Sequence, residues 1–170
     1  MTTRIDTAWH PLATGCPPDW ASAWGQDRYG VWVEFEVAGS DGTQVAQSLR
    51  WIPPGRFQMG SPDDEPGRHG KDEYAGRYDE GPRHPVTITH GFWLFDTPCT
   101  QALWASVVGD NPSRFKSPSR PVENVSWDDV QAFLEQLNGQ IPDLDLTLPT
   151  EAQWEHACRA GTDTATHAGP

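Results

Sequence analysis

The chain has 170 residues, a length that fits one ordinary domain. Lys plus Arg is 12 against 24 for Asp plus Glu, a formal charge of −12 that argues against nucleic-acid backbones and anionic membrane surfaces as partners. Leu, Ile, Val and Phe alone are sparse enough to suggest disorder, but nine Trp and three Tyr reverse that reading, since each large ring buries on the order of 150–250 Å². Sixteen Gly and 16 Pro make long uninterrupted helices improbable. The composition describes a loop-rich globular domain with a core of aromatic rings.

Residues 1–30 carry Trp9, Trp20 and Trp24 among Pro11, Pro17 and Pro18, and read as an irregular lead-in that packs by its rings. Residues 31–37 alternate, with Val31, Val33, Phe35 and Val37 on one side and Trp32, Glu34 and Glu36 on the other, the pattern of a half-buried strand. Ser40-Asp41-Gly42 is a turn signal, and residues 45–52 form the return strand of a hairpin. Residues 56–60 are a short strand. The stretch 61–84 lacks apolar periodicity and mixes Asp63, Asp64, Glu65, Asp72, Glu73, Asp79 and Glu80 with Arg68, Lys71, Arg77 and Arg83. It reads as a solvated excursion or as a cation or ligand loop, and its spacing is not that of an EF-hand.

Residues 84–89 alternate again, with His84, Val86 and Ile88 on one face, and the aromatic run Phe92 to Phe95 follows. Three short helices come next. Thr100 caps the first, Leu103, Trp104, Val107 and Val108 make its apolar face, and Gly109 closes it. Ser126 caps the second, Val130, Phe133, Leu134 and Leu137 form its stripe, and Gly139 is expected to stop it. Thr150 caps the third, Gln153 completes a capping box, and Trp154, Ala157 and Cys158 form its stripe. Asp128, Asp129, Glu151 and Glu155 are read as partners of helix dipoles.

The spacing offers little chemistry. No run of about 18 apolar residues occurs, and the first ten residues have no apolar signal region, so a cytoplasmic location is expected. Cys16, Cys99 and Cys158 lack zinc-type pairing and read as buried free thiols in a reducing compartment, with one disulfide or one catalytic thiol as the alternatives. Cys158, beside Arg159, is placed in the core by its stripe. His84 and His90 are separated by roughly 20 Å of extended chain at about 3.3 Å per residue, too far to share a metal. His156 could meet either only through tertiary folding. No nucleophile elbow, P-loop or dinucleotide motif is present.

Five segments in order resemble the formylglycine-generating enzyme, or sulfatase-modifying factor, family: Trp51–Ser61, Glu80–Thr87, Phe92–Trp104, Pro121–Asp129 and Leu148–Gly161. The resemblance implies an α+β fold of the irregular C-type-lectin-like kind, with short strands, three short helices and long loops. It divides the chain into a lead-in with the first strand, 1–44, and the N-terminal portion of a formylglycine-generating-enzyme-like domain, 45–170, truncated at its C-terminus. The family chemistry it implies is oxygen-dependent oxidation of a cysteine in a protein or peptide. Complete members use copper and calcium, held by segments beyond the one matching Leu148–Gly161. No catalytic, cofactor-binding or metal residue is therefore assigned here, and this chain is expected to be inactive by itself. The partner expected is a protein or peptide substrate or ligand, with neither nucleic acid nor membrane. Two alternatives are a lectin-fold display module, such as the variable proteins of diversity-generating retroelements, and a fragment without independent function. The sulfoxide synthases of ergothioneine synthesis also resemble this domain, but their iron histidines belong to a separate helical domain.

Overall fold

The computed structural model describes Leu12, Gly15 and residues 17–39, 42–65 and 80–164. Strands β1 (Ala23–Asp27), β2 (Gly30–Ala38), β3 (Gln44–Ile52), β4 (Gly55–Met59), β5 (His84–Ile88) and β6 (Phe92–Phe95) precede helices α1 (Gln101–Val108), α2 (Trp127–Gln140) and α3 (Glu151–Arg159). They fall into two compact units. The larger takes residues 8–51 and 93–148, and the smaller takes 1–7, 52–92 and 149–170.

In the larger unit the strands form one sheet in the order β1-β2-β3-β6. The expected hairpin is present, β2 and β3 running antiparallel from Trp32 opposite Arg50 to Ala38 opposite Gln44. The period-2 pattern of β2 sends Val31, Val33, Phe35 and Val37 inward, all buried, while Glu36 stays exposed. Helices α1 and α2 close the core. Leu103, Trp104 and Val107 of α1 are buried with Phe133 and Leu137 of α2, and the Trp104 indole stacks on Phe133 at 4.8 Å between centroids. The core is thus mainly aliphatic, with Phe35, Trp104 and Phe133 as its buried rings. Trp20, Trp51 and Trp93 pack at its margin, whereas Trp24, Trp127 and Trp154 are exposed. The expectation of a core built from aromatic rings is corrected to that extent.

Three local expectations are also corrected. The lead-in holds a strand, β1, antiparallel to β2 with Trp24 opposite Val33; its sequence, AWGQD, lacks apolar alternation, so pairing with β2 makes it a strand. Trp9 and Cys16 lie outside the described residues. Val108 is exposed, leaving three residues of α1 on the core. Gly139 does not stop α2, which runs to Gln140 with Ile141 as its cap. A glycine there can be carried because Leu137 anchors the last turn in the core and the Asn138 side chain pairs with both backbone groups of Leu146.

The smaller unit pairs β4 with β5 antiparallel, from Gly55 opposite Ile88 to Met59 opposite His84, and α3 packs on both strands. All three helices start where their cap residues indicate. Thr100, Ser126 and Thr150 each accept from the N3 amide, and the last two complete capping boxes with Asp129 and Gln153. Among the described residues no helix is long and apolar enough to cross a membrane.

Candidate functional site

The densest polar cluster of the smaller unit is built on Gly60, which follows β4. Its φ of 85° lies in the left-handed region, where glycine is favoured. A Cβ there would stand 2.4 Å from the carbonyl oxygen of Glu80. Both peptide groups of Gly60 are held by α3. Its N–H donates to Glu155 Oε1 at 2.8 Å, and Arg159 donates to its carbonyl at 2.9 Å while pairing with Glu155 at 2.7 Å. The next residue, Ser61, is buried and doubly tied to Glu80, its N–H donating to the Glu80 carbonyl at 2.9 Å and its hydroxyl to the carboxylate at 2.6 Å. The result is a clamp that joins the two ends of the charged excursion. Most of that excursion, 66–79, lies outside the described residues.

Glu155 is therefore more than a dipole partner; it fixes the turn after β4. His156, next to it, has Nε2 at 3.1 Å from the Pro53 carbonyl, which makes that nitrogen the donor, and its ring lies 5.2 Å from Phe57. The ring lies close to Gly55, where a Cβ would meet His156 Cε1 at 3.0 Å, so a larger residue there would have to displace the ring. His156 is thus a packing and hydrogen-bonding residue. The inward face of α3 is consequently polar, and the expected stripe points the other way: Trp154 and Cys158 are exposed and Ala157 is half-buried. The placement of Cys158 in a core is corrected on this ground. The guanidinium of Arg159 is committed to Glu155 and Gly60 and not to the neighbouring thiol.

In the larger unit, Gln101 organises the segment 111–121 from a fully buried position. Its amide nitrogen donates to the carbonyls of Phe115 and Pro121 at 2.9 and 3.1 Å, and its oxygen accepts from Asn111 and the Ser117 amide at 2.9 and 3.0 Å. Every hydrogen-bonding position of the side chain is used. Glu123 braces the same segment, accepting from the amides of Arg114 and Phe115. The sequence signal for Gln101 was only a polar residue at the first position of α1, where a solvated side chain is the ordinary outcome. A shallow open depression of about 500 Å³ lies along α2, lined by Asp128, Gln131, Glu135, Asn138, Leu146 and Thr147.

The described cysteines are both free thiols. Cys99 is half-buried with Sγ 3.7 Å from the Thr100 carbonyl, and burial pushes its thiol up to about 12, so it is protonated at neutral pH. His84 Nδ1 sits 2.8 Å from the Pro82 carbonyl and His90 Nδ1 sits 2.9 Å from the Thr89 hydroxyl. Among the described residues no three His, Cys, Asp or Glu side chains converge to hold a metal ion. Copper is served by imidazole nitrogens as well as by thiolates, and His84, His90, His156, Cys99 and Cys158 do not come together in any such set among the described residues. The described residues thus do not fit copper, and no carboxylate set fits calcium. Their carboxylates serve caps and ion pairs. Ser126 holds Asp129 below its ordinary value by side-chain and backbone hydrogen bonds. Arg50 does the same for Asp27 at 2.8 Å. Asp96, 3.6 Å from Arg50, is raised by burial despite that charge.

Residues 34–169 match the Sulfatase-modifying factor enzyme 1-like domain. The formylglycine-generating enzyme of Mus musculus is 32% identical over 78 residues, covering 46% of this chain and 18% of that protein. Among solved structures, Treponema denticola variable protein 1 superposes with a TM-score of 0.54 at 26% identity, over 78% of this chain and 59% of that one. PvdO from Pseudomonas aeruginosa superposes with a TM-score of 0.56 at 22% identity, over 85% of this chain and 53% of that one. The chain therefore spans less than a fifth of the mouse enzyme and between half and three-fifths of the two structures. The fold is the expected irregular lectin-like mixture of α and β.

Proposed function

The chain belongs to the sulfatase-modifying factor family, and from that premise we propose that its residues supply the framework of a formylglycine-generating-enzyme-like domain. The activity of the whole protein is, on this reading, oxygen-dependent oxidation of a cysteine in a protein or peptide. The framework contributes shape and a surface toward that partner, and the reacting thiols are other than the two described here. The observation that carries this is the mutual engagement of the resembling segments. Trp51–Ser61, Glu80–Thr87 and Leu148–Gly161 meet in the clamp at Gly60, Glu80, Glu155 and Arg159. Phe92–Trp104 and Pro121–Asp129 meet through Gln101 and the Pro121 carbonyl. These contacts are backbone-directed and structural. A cytoplasmic, reducing location belongs to the same proposal, supported by the free state of Cys99 and Cys158.

The purified chain, incubated with copper, oxygen and a cysteine-bearing peptide, is the test. The peptide thiol is expected to survive, as followed by mass spectrometry. Catalytic loss of that thiol overturns the framework reading. A second reading, a ligand-binding or display module, is favoured by the likeness to Treponema denticola variable protein 1. A stable complex with a peptide, formed without consuming its thiol, supports that second reading.

A further inference from the structure

We propose that the loop 111–121, with Arg114, Lys116 and Arg120 set around Phe115, is a docking surface for an acidic segment of a partner polypeptide. The inference rests on the framework reading, in which these residues present a surface toward a protein or peptide, and it names that surface and the chemistry that meets it. Charge is the first observation. Three of the chain's 12 Lys and Arg fall within 114–120, and no Asp or Glu lies between Asp110 and Glu123. The remaining nine are set against all 24 acidic residues. All three cations are exposed, and among the described residues none is in an ion pair. Lys116 donates to the Asn111 carbonyl, and the Arg114 guanidinium lies over the Phe115 ring at 5.4 Å. Rigidity is the second observation. The buried Gln101 amide holds the carbonyls of Phe115 and Pro121 and the N–H of Ser117, which gathers both ends of the basic stretch on one side chain. Pro112, Pro118 and Pro121 restrict the backbone further. On this held loop Phe115 stays 59% exposed. Such a patch has little backbone freedom left to lose on binding.

The occupant follows from which donors are left. The amide of Asn111 donates to the Asp110 side chain, that of Ser113 to Asn111, those of Arg114 and Phe115 to Glu123, and that of Ser117 to Gln101. A compact anion cradled by backbone N–H groups therefore has few donors to use. The guanidinium and ammonium heads remain. They suit carboxylates spaced along an extended segment, with an apolar side chain of that segment resting on Phe115. A nucleic acid fits less well. The attraction of the patch fades over a Debye length of about 8 Å, and a long polyanion then meets the strongly acidic remainder of the chain.

Fluorescence anisotropy is the test. A fluorescein-labelled peptide alternating paired glutamates with leucine is titrated with the 170-residue chain at about 0.05 M salt. Saturable binding is expected. The double variant Arg114→Gln, Arg120→Gln should weaken it at least about tenfold, and Phe115→Ser at least about threefold. Arg56→Gln, at an exposed position on β4 in the other unit, should change it less than about twofold. Arg120→Gln alone keeps the test decisive if the double variant melts early, since that side chain makes no hydrogen bond or ion pair among the described residues; it should weaken binding at least about threefold. Absence of binding overturns the proposal, as does equal binding by the double variant or by Arg120→Gln. Equal binding of the same peptide with glutamine in place of glutamate also overturns it, and so does tighter binding of a thymidine oligonucleotide. A dimer at low salt that the double variant abolishes would make a second copy the occupant, against the proposal. None of these outcomes alters the peptide thiol assay, so the two readings fail separately.

Discussion

Gln101 shows how one side chain can hold a loop. Replacing it by Leu keeps most of the volume and leaves the Phe115 and Pro121 carbonyls and the Ser117 amide without their partner. An orphaned polar group costs about 1–3 kcal/mol when buried and less at part-buried sites such as these, so Gln101→Leu should destabilise by about 1–3 kcal/mol in urea denaturation. A loss below about 0.5 kcal/mol would show that water replaces the side chain. Gly60 is constrained by both its dihedral and its neighbour. Gly60→Ala should cost about 2–4 kcal/mol, from left-handed strain and the clash with Glu80, and an unchanged midpoint would mean the turn is built otherwise. Cys99 adds a pH dependence. Its thiol ionises near 9 when unfolded and about 12 when folded, so the native state binds the extra proton between those values. Its stabilisation is complete below about 9 and is lost as pH rises toward 12, with a slope of at most about 1.4 kcal/mol per pH unit. Cys99→Ala should flatten that alkaline limb, measured as urea midpoints from pH 8 to 11; an identical limb would contradict the burial of the thiol.

The helices test how much of an element can be read from local chemistry. The starts of all three were legible because caps are local: Thr100, Ser126 and Thr150 satisfy amides only three residues away. The hairpin was legible for the same reason, its period-2 pattern lying within nine residues. The strand β1 was not, since AWGQD becomes a strand only by pairing with β2. The orientation of α3 was not legible either. Its stripe was correctly located on the helix, but the side that meets β4 is decided by Glu155 reaching Gly60, 95 residues away in sequence. Glutamate in an exposed first turn and glutamate in a tertiary clamp look alike in sequence. Gly139 was misread because a glycine at the end of an apolar stripe is a common stop signal, whereas here the Leu137 and Asn138 anchors carry the helix past it. With open space around it, Gly139→Ala should stabilise the protein by roughly 0.5–1 kcal/mol. A destabilised variant in thermal melting would restore the reading of Gly139 as a terminator.

At the scale of the molecule, the family was legible from segments in a fixed order; three of them meet at the clamp in the smaller unit and two at Gln101 in the larger. The candidate site was far less legible. Clamp residues at 60, 80, 155 and 159 meet through the backbone of a turn, and backbone partners leave no residue-type signature beyond Gly60 itself. The thiols carried a sequence signal, yet the fold half-buries one, raising its pKa, and turns the other outward on α3. What these residues bring to the family is therefore geometry. The most direct measurement of that claim is a copper(I) titration of the purified 170-residue chain against a competing chelator. The chelator is predicted to keep the metal, leaving less than one copper per chain after gel filtration. One tightly retained copper per chain, lost on replacing Cys99 or Cys158, would contradict it.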